Sequence, residues 1–135
     1  MTYHHLVMEN YTIFTKKVFE CLADRKLSSG QPKVLEYLFA HDGAVQKEIA
    51  EACLIEPATV TSLLSRMEKQ GLVTRQINKD NRRFWNVYLT EQGKKDAEYV
   101  NETFKEKEAE ALKGFSKEET NILLKYLGRI HENLK

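Results

Sequence analysis

The segment from Thr61 to Phe84 carries six cationic side chains and only two acids, a local net charge of +4. The formal net charge of the whole chain of 135 residues is only +1, so the remainder is slightly acidic. Charge concentrated in this way is typical of a surface that binds phosphates. The cations are Arg66, Lys69, Arg75, Lys79, Arg82 and Arg83, and the acids are Glu68 and Asp80.

A predicted helix that begins at Pro57 and ends before Gly71 must position the first of these cations. Proline suits the first position of a helix, and glycine suits the position just after its end. Apolar residues recur inside it at helical spacing and predict one buried face, made of Val60, Leu63, Leu64 and Met67. Small, hydroxylated and basic residues remain for the outer face: Pro57, Ala58, Thr59, Thr61, Ser62, Ser65, Arg66 and Lys69. Such side chains contact bases and phosphates, so we predict a helix that reads the DNA major groove. An ordinary amphipathic core helix would show the same buried face.

Two β-rich runs follow this helix and predict a hairpin. Residues 72–77 alternate in hydrophobicity, residues 78–81 form a turn signal, and residues 84–89 are rich in aromatic and β-branched residues. The hairpin would present five charged side chains, Arg75, Lys79, Asp80, Arg82 and Arg83. An arginine at such a tip can enter the minor groove, and the pattern leaves open whether it is Arg82 or Arg83.

Helices are predicted for most of the remaining chain. They span residues 3–24, 32–40 and 46–53 before the reading helix, and residues 91–113 and 117–133 after the hairpin. The order helix, turn, helix, hairpin is that of a winged helix-turn-helix. We therefore expect a mainly α fold with a small β-wing of two or three strands, flanked by N- and C-terminal dimerisation helices.

The first and last helices carry broader apolar stripes than a single domain needs. The dimerisation residues predicted from these stripes are Leu6, Ile13, Leu123, Leu127, Ile130 and Leu134. We infer a two-fold homodimer in which the chain ends interleave. A monomer with a thick core is the alternative. The dimer would present two reading helices about 34 Å apart to a pseudo-palindromic DNA operator.

The run from Glu56 to Val73 resembles the MarR family of bacterial transcription regulators. So do residues 80–83 with residues 87–93, and the upstream run 28–38 resembles the start of the second helix of the family. The likeness implies a single domain over residues 1–135. Its DNA-binding lobe would span residues 31–93, and its dimerisation region residues 1–27 and 94–135. It also implies a repressor of a bacterial or archaeal cell, and the absence of a targeting segment predicts the cytoplasm.

The resemblance further implies a cleft between the dimerisation helices and the DNA-binding lobe, where small aromatic acids release the operator. Aromatic residues that could line it are Tyr3, Tyr11, Phe14, Tyr37 and Phe39. Two positions depart from the family pattern. Glu56 stands where a Ser or Asp helix cap is common, and the Asp-x-Arg wing motif fits Asp80 to Arg82 or, shifted by one residue, ends at Arg83.

Other classes of function have weaker support. No catalytic motif, phosphate-binding loop or metal-ligand spacing occurs, so an enzyme, a cofactor and a metal are not expected. Cys21 and Cys53 lack a CxxC arrangement and indicate free thiols in a reducing compartment. No segment predicts a membrane span or a leader. A winged-helix module for protein interaction, or a regulator that senses metal or oxidants, remains the alternative.

Overall fold

The computed structural model describes every residue from Met1 to Lys135. It contains six α-helices, one short 3₁₀ turn at Ala23–Arg25 and one hairpin. The elements are α1 (Tyr3–Cys21), α2 (Gln31–Ala40), α3 (Gln46–Cys53), α4 (Pro57–Lys69), β1 (Val73–Ile77), β2 (Trp85–Leu89), α5 (Glu91–Ala111) and α6 (Lys117–Leu134). The mainly helical fold with a small wing is as predicted. The first helix ends at Cys21, earlier than expected, and the 3₁₀ turn that follows ends at Lys26 in the left-handed conformation (φ 57°).

Helix α4 has the predicted bounds and the predicted buried face. Pro57 occupies its first turn, and no side chain caps it at Glu56. The chain leaves it through Gly71 at φ 77°, a conformation that glycine adopts without strain. The four apolar residues of its inner face are all buried. This burial packs α4 against the core of the lobe and leaves its polar face exposed to solvent.

A tight turn sets the angle between α3 and α4. Leu54 takes the left-handed conformation (φ 54°), and the amide of Ile55 donates to the carbonyl of Ala50. Ile49 and Ala50 are buried on the inner side of α3. Helix α3 therefore supports α4 from behind, as the first helix of a helix-turn-helix must.

The hairpin pairs β1 and β2 in antiparallel register, with Val73 opposite Leu89 and Ile77 opposite Trp85. An isolated antiparallel bridge pairs Val45, just before α3, with Asn86 of β2. At the tip, the side chain of Asn78 accepts from the amides of Asp80 and Asn81. This local hydrogen bonding fixes the turn that the polar sequence predicts.

One core of 19 buried residues runs from the end of α1, through α2, α3, α4 and the hairpin, into α5. Helix α5 begins at a cap in which Thr90 accepts from the Gly93 amide, while the Thr90 hydroxyl donates to the Gly71 carbonyl. Gly93 is buried against the backbone of Leu72. The start of α5 is thereby attached to the start of the hairpin.

The two ends of the chain lie outside this core. Residues 1–13 are all exposed, and no residue of α6 is buried. Exposed apolar side chains on these helices include Leu6, Ile13, Ile122, Leu127 and Leu134. Both helices are well formed, and α6 begins with a capping box between Ser116 and Glu119. No helix combines the length and the apolar character needed to cross a bilayer.

We predict that Gly93→Ala lowers the free energy of unfolding by about 2 kcal/mol or more, because the new Cβ collides with the Leu72 carbonyl oxygen. Chemical denaturation would measure this decrease. Gly128→Ala is the matched control, since no atom lies within 4 Å of a Cβ at Gly128 in α6. That change should be neutral or stabilise by up to about 1 kcal/mol. Equal stability of the two variants would contradict the packing described for α5.

Candidate nucleic-acid interface

The polar face of α4 centres on four residues spaced by three or four positions: Ala58, Ser62, Ser65 and Lys69. They lie opposite the buried row and, apart from the half-buried Ser65, they are exposed. We call these four residues the outer row. The side chains of Ser62 and Lys69 make no hydrogen bond or ion pair within the chain. The outer row therefore offers a hydroxyl and an ammonium group to an external partner, without a carboxylate among them.

Arg75 of β1 joins the hairpin to both helices of the helix-turn-helix. One guanidinium nitrogen, Nη2, donates to Ser65 Oγ at 3.2 Å and to Glu68 Oε1 at 3.1 Å. The other, Nη1, donates to Gln46 Oε1 at 3.2 Å. Only 18% of its side chain is exposed. Arg75 was predicted to contact DNA from the wing; in the structure its guanidinium is engaged within the chain and holds the hairpin beside the outer row, while contact with DNA stays a prediction.

The same contacts decide the role of Glu68, the only acid of α4. Its carboxylate pairs with Arg75 on the side of the helix that faces the hairpin. An ion pair with one exposed partner contributes little to stability. It does neutralise the one charge on α4 that would repel a polyanion. Thr61 lies on this side too, where its hydroxyl donates to the Pro57 carbonyl and accepts from Gln46 Nε2.

The opposite side of α4 is attached to the loop between α1 and α2. Arg66 Nη1 donates to Ser28 Oγ at 3.1 Å. Gln70 accepts from Nε2 of the fully buried Gln31 and donates to the Lys26 carbonyl. Sequence reasoning missed this role of Gln31, because a lone glutamine in a helix gives no sign that it will be buried. The loop thereby restrains the C-terminal half of α4.

The tip of the hairpin carries the least restrained cations of the region. Lys79, Arg82 and Arg83 are exposed, and none of their charged groups forms an ion pair or hydrogen bond within the chain. The Arg83 amide donates to Asn81 Oδ1, so the backbone there is ordered although the side chain is free. Asp80 also lies exposed in this turn. Both arginines are available, and the choice between them stays open.

A cleft of about 530 Å³ separates α1 from the DNA-binding lobe. Tyr11 and Phe14 line it as predicted, together with Lys33, Leu63 and Phe104. Further lining residues that the sequence did not single out include Thr15, Val18, Phe19, Pro32 and Ile55. Thr59, predicted to contact DNA, also borders this cleft.

Three of the aromatic residues expected in the cleft lie elsewhere, which corrects that expectation. Tyr3 is exposed near the N-terminus, and Phe39 is exposed on α2. Tyr37 donates from its hydroxyl to Glu48 Oε2 at 2.8 Å and stacks on His41. The hydrogen bond to Glu48 raises the pKa of Tyr37. Residue type alone could not assign these side chains, because the cleft forms between helices that are distant in sequence.

The two cysteines are free and in different environments. Cys53 is buried, its thiol donates to the Lys33 carbonyl at 3.6 Å, and burial raises the pKa of the thiol. A raised pKa lowers the thiolate fraction and hence the reactivity. Cys21 is partly exposed at the end of α1. No group of three or more His, Cys, Asp or Glu side chains is arranged to hold a metal ion.

Comparison with known proteins agrees with this architecture. The MarR family model matches residues 27–84. The transcriptional repressor YetL of Bacillus subtilis is 31% identical over 130 residues, which cover 95% of this chain and 72% of YetL. The crystal structure of S. aureus MepR in its DNA-binding conformation has a TM-score of 0.91 at 28% identity and covers 100% of both chains. The S. aureus MepR–DNA complex has a TM-score of 0.89 at 28% identity, covering 100% of this chain and 99% of the other. This chain thus belongs to the MarR family of winged helix-turn-helix transcriptional regulators.

Proposed function

We propose that the protein is a homodimeric transcriptional repressor that binds a pseudo-palindromic operator in double-stranded DNA and is released by a small aromatic acid. The observation that carries the DNA-binding part is the outer row of α4, free of acid and held by Arg75 beside a hairpin tip with unpaired cations. The relation to the repressor YetL and the likeness to MepR in its DNA complex support it. Such a repressor would act in the cytoplasm of a bacterial or archaeal cell.

The outer row is the part that would enter the major groove. Ala58 is small enough for close approach to a base edge or a thymine methyl group, and Ser62 can donate or accept. Lys69 lies near the C-terminal end, where it can reach a phosphate. Arg66 sits at the edge of this face, and its single exposed hydrogen bond to Ser28 is easily exchanged for one to a guanine.

The hairpin tip would enter the adjacent minor groove. Lys79, Arg82 and Arg83 can each neutralise a phosphate, and one arginine can occupy the groove itself. The tip is a compact turn held by Asn78, so these side chains are presented together. Because Arg75 fixes the hairpin to α4, the distance between the two groove contacts is set before DNA arrives. This preorganisation lowers the entropic cost of binding.

A second copy of the chain is the partner we assign to the exposed helices α1 and α6. Helix α6 is 18 residues long and buries none of them. Its apolar side chains, including Leu123, Leu127 and Ile130, form one stripe, and the exposed Leu6 and Ile13 of α1 extend the apolar surface. An amphipathic helix gains most of its stability by packing that stripe. Two-fold pairing would cover the ends of both chains and present two copies of α4 to DNA.

The cleft beside α1 is the site we propose for the releasing ligand. Aromatic walls from Tyr11, Phe14 and Phe104 suit a ring. Of the two charged residues in the lining, Lys33 would pair with a carboxylate in exchange for its 3.5 Å hydrogen bond to the Cys53 carbonyl, whereas Glu36 would repel one. Thr59 and Leu63 belong to α4 itself. A ligand that occupies the cleft therefore contacts the reading helix from behind. It would weaken DNA binding by its preference for an arrangement in which the two copies of α4 are wrongly spaced.

DNA binding is tested by a fluorescence-anisotropy titration against the DNA upstream of the protein's own gene, with unrelated duplexes for comparison. We expect affinity to fall steeply with salt. In the variant with both Arg82→Ala and Arg83→Ala, all duplexes should bind more weakly. The salt slope of this variant should shrink by about 0.9 for each phosphate that the protein no longer neutralises. Arg66→Ala should change the preference among sequences instead.

The matched control is the variant with both Lys117→Ala and Lys125→Ala, which removes two cations from the polar side of α6. It should bind all duplexes like the unchanged protein. If this control loses as much affinity as the wing variant, net charge and not the wing carries the binding. Unchanged binding by both arginine variants would exclude the groove contacts proposed for α4 and the hairpin.

Self-association is tested by analytical ultracentrifugation. We expect twice the chain mass of 15.7 kDa for the unchanged protein. Leu127→Glu should give the single-chain mass, because a carboxylate in an apolar interface has no partner. Asn121→Glu adds the same charge on the polar side of α6 and should remain dimeric. A monomeric unchanged protein would rule out the interleaved ends.

Ligand binding is tested by thermal unfolding with 2-hydroxybenzoate as the probe. At a concentration of one hundred times Kd, a ligand specific for the folded state stabilises it by about 2.7 kcal/mol, so the melting temperature should rise. Anisotropy should show weaker DNA binding at the same concentration. Phe14→Ala removes a wall of the cleft and should abolish both effects, whereas Phe39→Ala, on the exposed side of α2, should retain them. A probe effect that survives Phe14→Ala would place the ligand elsewhere.

A further inference from the structure

Two large apolar side chains are exposed at the outer end of the hairpin. Ile77 and Trp85 face each other across the ladder, and 46% and 42% of their surfaces are accessible. They lie on the same side of the hairpin as Arg75 and Val87, since residues two apart share a face. Val87 is fully buried. The apolar face of the hairpin thus extends past the core to two side chains that the rest of the chain leaves exposed.

This exposed pair lies on the side of the hairpin that faces α4. The Arg75 guanidinium lies 5.8 Å from the centre of the Trp85 ring, and the same group bonds to Ser65 and Glu68 of α4. Trp85 therefore lies on the face of the hairpin that is turned toward α4, two pairs beyond Arg75 in the ladder. The cations of the hairpin tip lie beyond it, in the turn that joins the two strands.

The geometry of duplex DNA decides what would lie between α4 and the hairpin tip. A major groove and its neighbouring minor groove are separated by one sugar–phosphate strand. A protein with a helix in one groove and a hairpin in the other must straddle that strand. The strand offers phosphates, which the tip cations can neutralise, and deoxyribose rings, whose carbon faces are apolar.

We propose that Trp85, backed by Ile77, packs against deoxyribose of the strand between the two grooves. This rests on the proposed DNA binding and goes beyond it, because it assigns a contact that is neither a phosphate pair nor a base contact. Burial of an indole against sugar does not release counterions, so its contribution to affinity does not depend on salt. Trp85 would also set how deep the hairpin sits in the minor groove.

The alternative occupant of this surface is another protein chain. The basic tip beside the pair favours a polyanion, since Lys79, Arg82 and Arg83 adjoin it and Asp80 is the one acid of the turn. The apolar stripes of α1 and α6 supply a separate surface for a second copy. The observations therefore favour DNA as the partner of Trp85.

The first test compares Trp85→Thr with Tyr88→Thr in a salt series of operator titrations. Both changes remove a partly exposed aromatic residue from β2 and keep a residue suited to strands, but Tyr88 points to the other face. We expect Trp85→Thr to weaken binding roughly fivefold to tenfold at every salt concentration, with an unchanged slope. Tyr88→Thr should bind as before. Thermal unfolding of both variants verifies that they are folded.

The second test uses the unchanged protein. Trp85 is its only tryptophan, so the intrinsic emission reports on this position alone. Binding of DNA should shift the emission to shorter wavelength, and this shift should saturate at the DNA concentration that saturates the anisotropy.

If the protein binds DNA by anisotropy while the emission stays constant, or if Trp85→Thr changes only the salt slope, the sugar contact is wrong and the DNA-binding function stands. An emission shift on raising protein concentration without DNA would instead assign Trp85 to a protein interface. Absence of any DNA binding would overturn the underlying function itself.

Discussion

The arrangement of the DNA-binding lobe depends on one guanidinium group. Arg75 joins β1 to both α3 and α4 outside the apolar core, and it bonds to Gln46, Ser65 and Glu68 at 3.1 to 3.2 Å. A planar guanidinium carries five donors in fixed directions on three nitrogens and can bond to partners that lie apart, whereas the three donors of lysine share one nitrogen. The hairpin is only five residues long on each strand, and it is also held by backbone bonds of Val87 with Gly43 and Ala44 and by the burial of Val73 and Leu89. On the side that faces the reading helix, this hydrogen-bonded junction adds the contacts that hold the hairpin.

Restraints on α4 come from both of its sides, and they differ in kind. The hairpin side is held by the charged contacts of Arg75, whereas the other side is held by Gln31, Gln70 and the loop backbone at Lys26. The cleft lies on this second side and includes Thr59 and Leu63 of α4. A molecule in the cleft would thus lie on the side of the reading helix where Arg66 and Gln70 bond to the rest of the lobe.

Charge and apolar surface are divided between the middle and the ends of the chain. The middle segment carries the excess of cations and has the core beneath it, while α1 and α6 carry apolar side chains that their own chain leaves exposed. Helix α5 links the two regions: Ala97 and Val100 are buried in the lobe, and its last turns run outside the core. Helix α5 therefore runs from the DNA-binding lobe to the region of the exposed apolar helices.

The sequence by itself determined the elements whose signals are local. Pro57, Gly71 and the spacing from Val60 to Met67 specify α4 because they act within one helix, and Asn78 specifies its turn through its own neighbours. It also determined the family and the excess of positive charge. Only the tertiary structure decided that Arg75 is a junction and not a free cation, that Tyr37 binds Glu48 away from the cleft, and that Trp85 remains exposed beside α4. These outcomes depend on pairs of residues that are distant along the chain, and a one-dimensional pattern carries no information on which distant group a side chain will meet.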